Sequence, residues 1–164
     1  MIKIQLLSII LSILISYNLY PNTTKDSVKY NDRHSHSENE LGIAISPAYF
    51  IKENVLTYAV HVHYTRFISN TKFGLGVSYE RIVLSPKHNT YGLVFAYMPI
   101  DNLSFTLSPG ITYEDNNPKS LLAFHFETTY EIEFESFHIG PSIEFAYDPN
   151  DYHLSLGIHF GYGF

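Results

Sequence analysis

Residues 152–164 read YHLSLGIHFGYGF, and large apolar side chains alternate strictly with small or polar ones along this stretch. Alternation with a period of two places successive side chains on opposite faces of a β-strand. One face of this strand would carry Tyr, Leu, Ile and Phe, and the other would carry His, Ser and Gly. The stretch therefore predicts a strand with one strongly apolar face and one face that is small and polar.

The same alternation recurs along the rest of the chain after residue 40, and no helical pattern interrupts it. Short runs rich in Asn, Asp, Pro, Ser and Lys, which favour turns, separate the alternating segments. Eight strands are predicted, and consecutive strands joined by short turns favour antiparallel, up-and-down pairing. The predicted strands are 41–50, 55–66, 72–83, 90–98, 103–113, 121–132, 137–147 and 152–164.

The two faces of these strands differ in chemistry. Thr128 is the main polar residue on the apolar face, apart from Arg66 and Arg81 near strand ends, whereas all nine glycines lie on the other face. A soluble barrel would bury its apolar face and expose charges to water, so this composition favours an all-β, eight-stranded antiparallel transmembrane β-barrel with a polar lumen. Residues with this lumenal parity lie on the same face as the glycines, which is predicted to line the lumen. They include Glu80, Glu127, Glu131, Glu144, His61, His63, His125, His138, His153 and His159.

The N-terminal residues have the pattern of an export signal. Lys3 precedes an apolar run over residues 4–15, which fits the charged start and apolar core of a secretory signal peptide. A membrane-spanning helix is the alternative, but it needs about 20 apolar residues and this run is shorter. We expect a signal peptide over residues 1–20, a flexible polar segment over residues 21–39, and the barrel over residues 40–164.

Composition excludes several classes of function. The chain has no cysteine, so disulfides and thiol chemistry are excluded. Its formal net charge of −6 and its scattered lysines and arginines give no basic surface, so nucleic acid is not an expected partner.

Three prolines lie on the apolar face of the predicted strands: Pro47, Pro109 and Pro141. Each lacks an amide donor for strand pairing, and we expect bulges or bends at these positions.

With its export signal, its eight alternating strands and its Tyr162-Gly163-Phe164 sequence, the chain resembles the small eight-stranded outer-membrane β-barrels of Gram-negative type bacteria. The resemblance covers about residues 41–164. It implies outer-membrane lipid as surroundings, a monomer, and recognition by the barrel-assembly machinery of Phe160, Tyr162 and Phe164, with Phe164 on the periplasmic side. It implies no particular activity, because the group includes adhesion-related, structural and lipid-modifying proteins.

The lumenal histidines and glutamates are the most unusual chemistry of the chain, since no lysine or arginine is expected among them. In a lumen filled by side chains, unpaired carboxylates would be costly. One interpretation is a packed polar plug in which His and Glu hydrogen-bond with one another, in a barrel with a structural or small-cation-related role. The alternative is a site for a divalent metal such as zinc, since imidazoles with a carboxylate suit that ion. Its candidate ligands are His61, His63, His125, Glu127 and His159.

Three further features are weighed against these interpretations. The pair His34 and His36 could capture metal in the periplasm, or could be an ordinary polar tail. His153-Leu154-Ser155 is similar to the His-x-Ser pair of barrel-type lipid A deacylases. Both residues have lumenal parity, however, and no Asn-Ala-Gly follows the serine, so no enzyme activity and no catalytic residue are expected. A porin-like function is the third alternative, and such a barrel would conduct ions.

Overall fold

The computed structural model describes residues 37–83, 87–115 and 120–164. The predicted signal peptide, most of the predicted polar segment, and His34 and His36 lie outside these residues. No helix within them is long and apolar enough to cross a membrane. The described strands are β1 (Asn39–Phe50), β2 (Val55–Phe67), β3 (Phe73–Ile82), β4 (His88–Ile100), β5 (Leu103–Glu114), β6 (Ser120–Tyr130), β7 (Ile132–Phe134), β8 (Phe137–Tyr147) and β9 (Tyr152–Gly163).

These strands form one antiparallel sheet that closes on itself. Each strand from β1 to β6 pairs with the next, β1 also pairs with β9, and β6 pairs with β8. β6 and β7 pair with β8 in the same register on either side of Glu131, so together they form one wall segment of the barrel. The described chain is therefore a closed eight-stranded barrel, and each predicted strand is confirmed with its ends within two residues.

Of the bulges or bends that were predicted at three prolines, the bulges are absent. At Pro47, Pro109 and Pro141 one neighbouring ladder is broken, but the register is the same on both sides of the break, so no bulge forms. A proline removes one amide donor, whereas a change of register would turn the following apolar residues into the lumen. The register shift in the ladder between β4 and β5 lies beside a different proline, Pro99.

The alternation of exposed and buried residues runs through most of the barrel wall, and large apolar side chains cover the outside. Leu122 and Leu56 are 66% and 64% exposed on this outer face. A continuous apolar surface of this kind is far larger than water-soluble monomers expose, and hydrocarbon is the medium that suits it. Phe160, Tyr162 and Phe164 lie on the same outer face, and their recognition by the assembly machinery stays a prediction.

The two ends of the lumen differ. At the end that we call the terminal end, Asn39 and Phe164 exchange two backbone hydrogen bonds of 3.1 and 2.9 Å. At the opposite end, Phe50 and Ile82 are fully buried and pack in a small apolar cluster with Ala48 and Ala59. Between these ends the lumen is lined by polar side chains, and there the histidines and glutamates meet.

Candidate metal centre in the lumen

Seven imidazole rings follow one another along the lumen. Neighbouring ring centroids are 5.2–6.4 Å apart, so the rings form a continuous series of contacts. They come from β2, β4, β6, β8 and β9, because each of these strands turns its small or polar parity inward. In order from the terminal end, the rings are those of His138, His159, His63, His61, His125, His153 and His88.

Carboxylates accompany the imidazoles, and basic side chains do not. No lysine or arginine in the described ranges is buried, so the lumen contains none of the usual permanent cations. Burying several carboxylates without a positive partner costs far more than folding can supply. Protonation of the carboxyl groups themselves, protonated imidazoles or a bound cation can each remove this cost. The lumenal carboxylates belong to Glu40, Glu80, Glu127, Glu131 and Glu144.

One part of this lumen is an ordinary hydrogen-bonded arrangement. His61 Nδ1 lies 3.3 Å from Glu127 Oε2, and the Thr129 hydroxyl donates a hydrogen bond of 3.0 Å to Glu127 Oε1. His61 Nδ1 is also 3.4 Å from Glu144 Oε2. These hydrogen bonds suit a polar plug, although donor atoms of His61, Glu127 and Glu144 also lie within 4.8 Å of one another, as the ligands of one ion would.

The adjacent group of side chains is arranged differently. We call Glu80, His125, Glu144 and His153 the central cluster; each is at most 5% exposed. His125 Nδ1 lies 3.7 Å from Glu80 Oε2 and 3.6 Å from Glu144 Oε1. His153 Nε2 lies 3.8 Å from Glu80 Oε1 and 3.6 Å from the same Glu144 Oε1. Five donor atoms of these four residues, each residue on a different strand, therefore lie near one another, and donor atoms of Glu80, Glu144 and His153 all lie within 4.8 Å of one another.

Most of these donor atoms lack hydrogen bonds. Both carboxylate oxygens of Glu80, the Nδ1 atom of His125 and the Nε2 atom of His153 have no hydrogen-bond partner in the described structure. Buried polar atoms without partners are rare, and a cluster of them calls for a bound species such as an ion or an ordered water. Glu144 Oε1 accepts a hydrogen bond of 3.4 Å from the Ser155 hydroxyl, which orients this carboxylate.

The spacing of the donor atoms is close to that of ligands around one metal ion. Bonds of about 2.0–2.2 Å in a tetrahedron separate neighbouring ligand atoms by roughly 3.3–3.6 Å. The four observed separations, 3.6–3.8 Å, lie at or just above this range, and the two that involve Glu80 end on different oxygens of its carboxylate. Two imidazoles and two carboxylates are a ligand set suited to zinc.

The five candidate ligands from the sequence do not meet at one point. His125 belongs to the central cluster, and His61 and Glu127 form the neighbouring hydrogen-bonded pair. His63 and His159 stack on each other, with ring centroids 5.2 Å apart, nearer the terminal end. Alternation alone predicts the face of each residue, but it does not predict which residues from distant strands lie at the same depth.

Three members of the central cluster were not among the predicted ligands: Glu80, Glu144 and His153. The register between neighbouring strands would have indicated Glu144 and His153. Glu144 lies opposite Glu127, and His153 lies level with His125, because Ala146 on the strand between them is the cross-strand partner of both. This register depends on the pairing of β6 with β8 around Glu131, which the sequence does not show.

The His153 and Ser155 pair lies in the lumen, as its parity predicted. Both residues are buried, at 3% and 4% exposure, and the Ser155 hydroxyl is directed to Glu144. A lipid acyl chain on the outer face does not contact either side chain, since the barrel wall lies between them. That the protein is not an enzyme stays a prediction.

No protein-family model matches the sequence, and no curated protein matches it either. Solved structures do match. Neisserial surface protein A is 11% identical with a TM-score of 0.59, and the match covers 79% of this chain and 99% of that one. Ail, the attachment invasion locus protein of Yersinia pestis, is 12% identical with a TM-score of 0.57, covering 77% and 98%. The N-terminal β-barrel domain of Pseudomonas aeruginosa OprF is 15% identical with a TM-score of 0.50, covering 78% and 100%.

These matches agree with the barrel closure and with its surface. The strands close into a ring of eight, large apolar side chains face outward, and the polar residues face the lumen. Identities of this size carry the fold and no activity. The chain has the fold of the small eight-stranded outer-membrane β-barrels, and its apolar exterior is suited to a lipid bilayer.

Proposed function

We propose that this outer-membrane barrel binds a divalent transition-metal ion, with zinc the best fit, at the central cluster of its lumen. The observation that carries the proposal is the convergence of buried donor atoms that have no hydrogen-bond partner on Glu80, His125 and His153, beside a carboxylate oxygen of Glu144. Neutral imidazole nitrogens and carboxylate oxygens are the protein ligands that hold zinc.

The distances in the central cluster separate a metal site from a polar plug. Direct hydrogen bonds between nitrogen and oxygen are about 2.7–3.2 Å long, and two groups joined through one water lie roughly 4.5 Å apart or more. The separations of 3.6–3.8 Å fall between these values. They are closer to the separations of ligands around one ion, and such an ion would also balance the charge of the buried carboxylates.

A purely structural polar plug is the second candidate function. The hydrogen-bonded arrangement of His61, Glu127 and Thr129 favours it, because these side chains are satisfied without any ion. In this interpretation, hydrogen bonds among the imidazoles, the carboxyl groups and ordered water would take the place of the ion.

An open pore is less consistent with the described lumen. Phe50 and Ile82 are buried at the opposite end, and the polar section beyond them is filled by side chains. Planar bilayer recordings should therefore show no discrete conductance steps, and regular steps would contradict this reading of the lumen.

The first test is the metal content of untagged protein extracted from native outer membranes, measured by elemental mass spectrometry. Near-stoichiometric zinc, copper or nickel supports the metal site. Metal at background level, together with no zinc uptake by the purified barrel, would leave the polar plug as the function.

A matched pair of variants locates the ion. Glu80→Gln removes one proposed ligand charge and should weaken zinc binding at the central cluster by 100-fold or more, because the loss of a ligand exceeds the 10- to 100-fold effect of an outer-shell partner. Glu131→Gln removes an equally buried carboxylate outside the cluster and should leave that binding unchanged. Equal zinc affinity in the two variants would contradict the proposed site.

A further inference from the structure

A second group of imidazoles lies over two glycines near the terminal end. His138, Gly161, Gly42 and His63 are successive cross-strand partners on β8, β9, β1 and β2. The two glycines in the middle of this row have no side chains. The imidazoles on either side can therefore lean inward over the same stretch of wall.

The space above the two glycines is occupied by imidazole nitrogens. A Cβ atom on Gly42 would lie 2.4 Å from His63 Nε2 and 2.5 Å from His159 Nε2. A Cβ atom on Gly161 would lie 1.9 Å from His138 Nε2. Any side chain at these positions would collide with the rings. The glycines thus form a floor on which three Nε2 atoms converge.

A carboxylate completes the group. Glu40 lies two residues before Gly42 on the same face of β1. Its Oε1 atom is hydrogen-bonded to His63 Nε2 at 3.2 Å and lies 3.9 Å from His138 Nε2. Donor atoms of Glu40, His138 and His159 all lie within 4.8 Å of one another.

His159 gives an independent indication of a ligand. The residue is 2% exposed, and neither of its ring nitrogens has a hydrogen-bond partner in the described structure. A neutral imidazole has one donor and one acceptor, and burying both without partners is costly. Coordination of an ion by one nitrogen would remove much of this cost.

We infer that Glu40, His63, His138 and His159 form a second binding site for a divalent transition-metal ion, which we call the mouth site. Three imidazoles and one carboxylate favour zinc or copper over magnesium or calcium, which prefer oxygen ligands. The side chains of Glu40 and His138 are 12% and 10% exposed, so an ion can reach this site from the terminal end. The mouth site shares no ligand with the central cluster and does not depend on the function proposed above.

Zinc stoichiometry tests this inference without any substitution. Metal-stripped barrel, folded in detergent micelles, is dialysed against micromolar zinc chloride, and bound zinc is counted by elemental mass spectrometry. Two zinc ions per chain are expected if both sites exist. No bound zinc, or a single zinc that Glu80→Gln removes, would overturn the mouth site.

Substitutions then assign each ion. His138→Ala removes one ligand, and Gly161→Ala displaces the same ring without removing it; each should lower the count by one zinc. Gly92→Ala is the matched control, because its Cβ would meet a serine hydroxyl, at 2.7 Å, and no imidazole. It should keep both ions. Folding of each variant is checked by its mobility on unheated gels.

The two proposals can fail separately. A single zinc that His138→Ala removes and Glu80→Gln does not would support the mouth site and refute the central cluster. Retention of the full zinc count by both His138→Ala and Gly161→Ala would refute the mouth site.

Discussion

A lysine at the middle of the outer face should destabilise the barrel far more than a lysine at its rim. Ile143 and Phe137 both lie on β8, on the same outer face, and are 57% and 60% exposed. β8 has 11 residues, which at about 3.3 Å per residue and a tilt of about 40° span roughly 28 Å of membrane. Ile143 is six residues along from Phe137, about 15 Å deeper, and so lies close to the bilayer midplane.

The expected magnitude follows from this difference in depth. A lysine facing lipid costs about 2–4 kcal/mol at the midplane and about 0–1 kcal/mol near the interface. At each position, the cost of the lysine is the free energy of unfolding of the alanine variant minus that of the lysine variant. This cost should be about 2–3 kcal/mol larger at Ile143 than at Phe137. The alanine references remove the loss of apolar contact at each position.

Unfolding by denaturant in phospholipid vesicles measures these free energies. The chain has 14 tyrosines and no tryptophan, so tyrosine fluorescence and far-ultraviolet circular dichroism are the suitable signals. Equal costs at the two positions, or no cost at Ile143, would refute the assignment of this face to the hydrocarbon core.

Three further outcomes are expected. Zinc should be retained at pH 7.5 and released on dialysis at pH 5, because imidazoles bind metal only when neutral and protons compete as the pH falls; release that does not depend on pH would argue against imidazole ligands. Glu53 lies in the turn after β1, where burial and then the nearby carboxylate of Asp151 raise its pKa above 4.5. The folded state therefore binds this proton more tightly than the unfolded state does, and the free energy of unfolding falls as the pH rises above 4.5. Glu53→Gln should raise the denaturation midpoint at pH 7 more than at pH 4, and an equal effect at both pH values would contradict this linkage. Ser155→Ala should leave the acylation of lipid A, measured by mass spectrometry, unchanged; altered acylation would support an enzyme activity. The same variant should weaken zinc binding by about tenfold, because the hydrogen bond to Glu144 is lost.

Local alternation was enough to predict the strands because lipid imposes a strict requirement on every outward position. It placed the first residue of two strands two positions too late. β1 already begins at Asn39 and β4 at His88, so Glu40 and His88 line the lumen although they lay outside the predicted strands. Polar residues at a strand end look like turn residues in sequence, and only their pairing with a neighbouring strand shows that the ladder continues.

The sequence by itself determined the barrel, its lipid-facing exterior, and the presence of histidines and glutamates inside, since each of these follows from side-chain parity along single strands. The tertiary structure alone decided which of these residues meet. His61 and His63 are two residues apart, yet one lies beside Glu127 and Glu144 and the other beside Glu40. Depth in a barrel depends on strand tilt and on the register between strands far apart in sequence, and alternation carries no information about either.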